Sequence, residues 1–194
     1  MPWLFCRLRF KKKLVDDEEY PGLVQSALLN AIRHVQVQLV PMLIEDVGSL
    51  DFGYGVALKC VVGASSLELV NLLLRHGADP DGAEPWDKNS GADLGRRRTQ
   101  SATGLAAAKC LTDFVEVLVG AGRDPGFLDE TGRTPLLFAA EGGHIATVQL
   151  LLGYGVEVTR RDKIWHRRPL DWAVCGLKLE VVEILKPLME GGWW

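Results

Sequence analysis

The chain has 194 residues, 47% hydrophobic and 24% charged, with a net charge of −3. That length suits about one or two ordinary domains, and the negative balance gives no overall pull toward nucleic acid. No apolar run reaches the roughly 18 residues a membrane span needs, and Cys6, Cys60, Cys110 and Cys175 stand too far apart for metal-ligand spacing.

Residues 1–20 read as an N-terminal extension. An apolar start runs into Arg7, Arg9 and Lys11 to Lys13, then into Asp16, Asp17, Glu18 and Glu19. A secretory signal places its charge first and a longer apolar stretch after it, so the order here is reversed. The expected role is a short capping helix or a tail whose charges offset one another. A membrane-surface or nuclear-import patch on Arg7 to Lys13 is the sharper alternative.

From residue 21 the apolar positions fall into a helical rhythm that recurs. Leu28, Ala31, Val37, Val40, Leu43 and Ile44 mark a first helix pair over about 21–50, with Pro41 expected to interrupt its second helix early. Leu58, Val61, Leu67, Val70, Leu73, Leu74 and Gly77 mark a second pair over about 51–80. Residues 80–102 break the rhythm with Pro80, Gly82, Pro85, Gly91 and Gly95, then Arg96, Arg97 and Arg98. This predicts an inserted surface loop, either touching a partner through its basic tip and Trp86 or having no role.

A third pair, over about 100–127, starts at Thr103, Leu105 and Ala108 and closes at Gly122. Leu105 to Gly122 is 17 positions, against 19 from Leu136 to Gly155 in the next pair. The difference predicts an inter-helix turn two residues short, preceded by an insertion of about 14 residues. The fourth pair, over about 128–160, is the clearest. Thr134 suits a helix cap, Pro135 the first helical position, and Leu136, Ala139 and Ala140 one helix face. Gly142 and Gly143 break that helix. Ile145, Val148, Leu151 and Leu152 restart the rhythm, and Gly155 suits a left-handed stop. The fifth pair, over about 162–190, carries Pro169, Leu170, Ala173, Leu179, Val182 and Leu185. Its approach from Asp162 is one residue longer than the approach from Asp129. Residues 191–194 are a Gly-Gly-Trp-Trp tail, expected either to pack back on the last pair or to lead into a longer array.

The run Asp129 to Leu136, with Ala139-Ala140, Gly143-His144 and Gly155, resembles one unit of the ankyrin repeat family. His76-Gly77-Ala78-Asp79 resembles that family's closing motif. The resemblance implies an all-α protein, an α-solenoid of stacked helix-turn-helix repeats with about five helix pairs. Such a unit cannot bury its apolar face alone, so it stacks on copies of itself. One departure stands out. The family usually places His after Thr-Pro-Leu, where this chain has Leu137, with Lys59, Ala106 and Asp171 at the other copies. The hydrogen-bond network linking successive turns is therefore expected to be weak or absent.

The resemblance implies a non-catalytic interaction module that binds a protein on its finger and concave face. The expected contact residues are Phe52 and Tyr54, Arg96 to Arg98 of the insert, Glu130, Thr131 and Arg133 of one finger, Glu141 at its first helix, and Lys163, Trp165, His166 and Arg167 of the last finger. Trp165 leads this set because interface energy concentrates in Trp, Tyr and Arg anchors. The alternative is a Trp folded back as a cap. Residues 160–168 are locally basic and suit an acidic partner segment, although such a run is also an ordinary solvated face.

No cofactor or metal is expected, since His34, His76, His144 and His166 lack the company that nucleophilic or metal chemistry needs. Cys60 and Cys175, inside helical patterns, are expected to be buried free thiols, which places the protein in the cytoplasm or nucleus. The competing functional expectation is a regulatory or sensing fragment of a larger receptor or enzyme. Nucleic-acid binding through the basic runs is a third.

Overall fold

The computed structural model describes residues 20–47, 54–78 and 101–190. Phe52, residues 1–19 of the extension, residues 80–100 of the insert with Arg96, Arg97 and Arg98, and the 191–194 tail lie outside the described residues. Tyr54 is placed by its backbone only. The described residues form helices and turns, with no strand among them, and divide into two compact units, residues 1–78 and 79–194.

In the first unit α1 (Tyr20–Arg33) pairs with α2 (Leu39–Val47), and α3 (Tyr54–Ala64) pairs with α4 (Leu67–Arg75). The first helix of each pair, α1 and α3, also pack on each other. Val24, Leu28, Ile32, Val40 and Leu43 are buried in one pair, and Leu58, Val61, Leu69, Val70 and Leu73 in the other. Pro41 does not break α2 as expected. It is the third residue of the helix, in the turn whose N–H groups have no intrahelical partner anyway.

In the second unit α5 (Ala102–Ala108) pairs with α6 (Thr112–Gly120), α7 (Pro135–Gly142) with α8 (Ile145–Gly153), and α9 (Pro169–Cys175) with α10 (Leu179–Glu190). The first helices stack as a row, α5 on α7 on α9, and the second helices stack behind them, α6 on α8 on α10. This is the layered solenoid that the repeating apolar pattern implies. Ala106, Ala107, Ala139, Ala140 and Ala173 are all fully buried, because only a methyl-sized side chain lets neighbouring first helices approach closely. Leu136, Leu137, Val148 and Leu151 fill the space between layers with no exposure. Each such residue contributes about 1.5–3 kcal/mol of burial.

The caps correct the expected register of the third pair. The Thr134 hydroxyl accepts from Leu137 N at 3.3 Å, as expected. In α5 it is Ser101, not Thr103, whose hydroxyl accepts from a backbone N–H, that of Gly104 at 2.9 Å. Thr103 lies inside the helix and is fully buried. With Ser101 matched to Thr134, Ala106-Ala107 matches Ala139-Ala140, and the interval to Gly122 equals the interval to Gly155, 21 positions in both. No residue is missing from the inter-helix turn. The interval from Gly77 to Ser101 is 24 positions, against 12 from Gly122 to Thr134, so the insertion is 12 residues rather than about 14.

Each pair turns back through one residue of positive φ: Val35, Ser65, Cys110, Gly143 and Leu177. Only Gly143 reaches that conformation without steric cost. Gly77, Gly122 and Gly155 adopt it after the second helices, as the stop at Gly155 requires. The cysteines differ from expectation. Cys60 is only partly buried, and Cys110 and Cys175 are exposed free thiols. Cys175 holds the last position of α9.

Candidate functional site

Two fingers project between the helix pairs of the second unit, and each is organised by one buried aspartate. In the first, Asp129 Oδ1 accepts from Thr131 N at 2.9 Å, from the Thr131 hydroxyl at 2.7 Å and from Arg133 N at 2.8 Å. Asp129 N donates to Arg133 O at 3.0 Å and closes the loop. In the second, Asp162 is 1% exposed. Its Oδ1 accepts from Ile164 N at 2.9 Å and Trp165 N at 2.6 Å. Its Oδ2 accepts from Arg167 N at 3.3 Å and the Trp172 indole N–H at 2.9 Å. Burial acts against the Asp162 charge, but the bonds from Trp165, Trp172, Ile164 and Arg167 outweigh it and hold the carboxyl below its ordinary range.

The fingers are joined to each other. Lys163 N donates to Thr131 O at 2.9 Å. A Cβ on Gly132 would stand 2.7 Å from Lys163 Cγ and 3.2 Å from Lys163 N, so the close approach requires glycine there. The expectation of a weak or absent turn-to-turn network, drawn from the missing histidine, therefore needs correction. The internal aspartate turns and this main-chain bond supply the link. His144 adds a second link between pairs, its Nε2 donating to Ala108 O at 3.0 Å. A carbonyl only accepts, so that nitrogen carries the proton.

Trp172 is the hub of the site. It stands on α9 where Phe138 stands on α7, each in the fourth helical position. The Arg133 guanidinium lies 4.1 Å from the Phe138 ring centroid and 4.7 Å from that of Trp172, and it is ion-paired with Glu141. The Arg167 guanidinium lies 5.0 Å from the Trp172 ring. Trp165 meets Trp172 edge-on, with centroids 5.3 Å apart and planes at 87°. Cation–π pairs contribute about 0.5–2 kcal/mol each depending on desolvation, so the stack fixes the finger from below.

The expected contact residues thus separate. Thr131 and Arg133 are buried and their bonds hold the finger in shape. Glu141 is half-buried beside Arg133. Glu130, Lys163, Trp165 and His166 are exposed, and Arg167 is half-buried. His166 has φ of 53° and takes the turn role that Gly132 takes in the other finger. Asp171 caps α9, where Arg168 N and the Arg168 side chain donate to it. Burial again opposes the charge, and Arg168 with Arg161 outweighs burial and lowers its pKa. Sequence reasoning missed Trp172, Phe138 and the two aspartates as the frame of the site. The signal was present in the recurrence of Asp and an aromatic at matching positions of the fourth and fifth pairs.

Residues 104–190 match a family model described as ankyrin repeats, three copies. That span runs from within α5 to the end of α10 and so takes in the three helix pairs just described. Residues 104–190 are ankyrin repeats. It is 35% identical over 86 residues to mouse ankyrin repeat domain-containing protein 63, covering 44% of this chain and 22% of that protein. It is 35% identical over 80 residues to the Arabidopsis thaliana potassium channel GORK, covering 41% of this chain and 10% of the channel. With the Caenorhabditis elegans ankyrin repeat and KH domain-containing protein mask-1 it shares 27% identity over 179 residues, 92% of this chain and 6% of that protein. The chain spans less than a quarter of the length of these relatives. Ankyrin repeats are generally protein–protein interaction modules, and no helix among the described residues is long and apolar enough to cross a membrane.

Proposed function

We propose that this ankyrin stack is a non-catalytic scaffold or adaptor that binds a protein partner through its fingers, with the 162–167 finger as the principal contact. The observation that carries this reading is Trp165. It is 45% exposed, yet its backbone is tied to Asp162 and its ring to Trp172. A large aromatic held rigid at the surface loses little entropy when a partner covers it. Glu130 and Lys163 flank it on the joined fingers, and Phe52, Tyr54 and Arg96 to Arg98 remain candidate contacts of the other segments. No cofactor enters this reading, and the net negative charge argues against nucleic acid as the partner.

The exposed free thiols of Cys110 and Cys175 suit the reducing interior of the cell, in cytoplasm or nucleus. Proximity labelling in the source cell tests the reading. Trp165→Ala is expected to lose a defined set of labelled proteins while its thermal unfolding stays within about 1 kcal/mol of wild type. An unchanged set of labelled proteins overturns the finger as the binding face.

A further inference from the structure

The charges around Trp165 are not balanced within the fold. Residues 160–168 hold Arg160, Arg161, Lys163, Arg167 and Arg168 against one acid, Asp162, in a chain whose net charge is −3. Asp162 is spent on four N–H donors and is buried. Arg160 is paired with Glu157 and Arg168 with Asp171. Among the described residues, Arg161, Lys163 and Arg167 form no direct ion pair with a carboxylate; Arg161 donates to His166 O at 2.8 Å and its charge is partly answered by Asp171, whereas Lys163 and Arg167 face no acid. Beside them Ile164 and Trp165 are 41% and 45% exposed.

We propose that this finger takes an acidic linear segment of the partner protein, with two or three Asp or Glu carboxylates against Arg161, Lys163 and Arg167. One aliphatic or aromatic side chain of the segment rests against Ile164 and Trp165. The proposal rests on the finger being the binding face. The two kinds of contact stand side by side, and a ligand that answers both carries acidic and apolar side chains together, as a polypeptide does. A nucleic acid would answer the cations but would find the rest of the chain at a net −7, with the finger's own +4 set apart. Such a field repels a long polyanion and still admits a short acidic segment at the tip. The finger is already ordered by Asp162 and Trp172, so binding pays little to arrange it.

The experiment measures fluorescence anisotropy of labelled 12-residue peptides with the full chain. One peptide is Glu-rich with a central Leu-Trp, a second has every Glu replaced by Gln, a third by Lys, and the fourth probe is a 12-nucleotide single strand. Saturable binding of the acidic peptide alone is expected, weakening about fivefold or more between 50 and 300 mM salt. Trp165→Ala and Lys163→Glu are each expected to weaken it about tenfold, while circular-dichroism melts show both variants folded. No saturable binding of the acidic peptide, equal binding of the Gln peptide, or tighter binding of the oligonucleotide overturns the proposal. If those results come while Trp165→Ala still loses its labelled proteins in the cell, the acidic partner fails and the finger reading stands. If Trp165→Ala changes neither, both fall.

Discussion

Asp162 does for the last finger what Asp129 does for the one before it, and it does so by charge. Four N–H groups converge on its two oxygens. An Asn in its place keeps one acceptor and aims an N–H₂ at donors. Asp162→Asn is therefore expected to destabilise the second unit by about 2 kcal/mol, in the range of hydrogen bonds to charged groups, measured by urea unfolding. The same charge gives a pH dependence. The folded-state carboxyls of Asp162 and Asp171 lie below their ordinary range, so the unfolded chain takes up the protons first. Their stabilisation is complete above the unfolded value of about 3.9 and drains away as pH falls through the folded values. Melting temperature is expected to fall below about pH 4, and the double variant Asp162→Asn, Asp171→Asn is expected to show a shallower fall. An equal slope in both proteins would assign the acid loss to other groups. The recurrence of Asp and an aromatic marked the frame, but the role of Trp172 was not legible, because a Trp inside an apolar helix pattern looks like core until its indole N–H is placed on a carboxylate.

At the scale of the helix pair, caps fix register more firmly than apolar residues do. The five pairs were legible because positions three and four apart recur with small residues between first helices. The register of α5 was not, because Thr103-Gly104-Leu105 imitates Thr134-Pro135-Leu136 two residues too late. Hydroxyl chemistry separates the two assignments. Ser101→Ala removes the bond to Gly104 N and is expected to cost about 1 kcal/mol. The Thr103 hydroxyl is buried without a partner among the described residues, so Thr103→Val keeps the shape and removes an unpaired polar atom. It is expected to be neutral or mildly stabilising. Chemical denaturation of both variants checks this, and the opposite order would restore Thr103 as the cap. The turns tell the same story. Where α7 turns back on Gly143, α9 turns back on Leu177 at φ 55°, a conformation that costs an L-residue about 1–2 kcal/mol. The left-handed turn is set by the stacking geometry, which overrides residue preference.

In residues 101–190 as a whole, each pair packs mainly on its neighbours in the two rows, so stability is approximately a sum of pair and interface terms. The α7–α8 pair has a neighbour on both sides, and Leu136, Leu137, Ala139, Ala140, Val148 and Leu151 are each 0% exposed. The α9–α10 pair leaves Val174 54%, Leu177 81%, Leu179 71% and Leu188 50% exposed. Among the described residues of this unit, opening that pair breaks one interface, whereas opening α7–α8 breaks two. Hydrogen exchange read by mass spectrometry is therefore expected to grade along the unit, slowest in α7 and α8 and at least about tenfold faster in α10. The 162–167 finger ties the two pairs together through Lys163 N and Thr131 O, so a ligand seated on it binds only the closed arrangement. Saturating peptide should then slow exchange in α9 and α10 more than in α7 and α8, by mass action on the closed state. Uniform exchange from residue 102 to 190, with or without peptide, would mean one all-or-none unit and would remove the link between finger occupancy and the last pair.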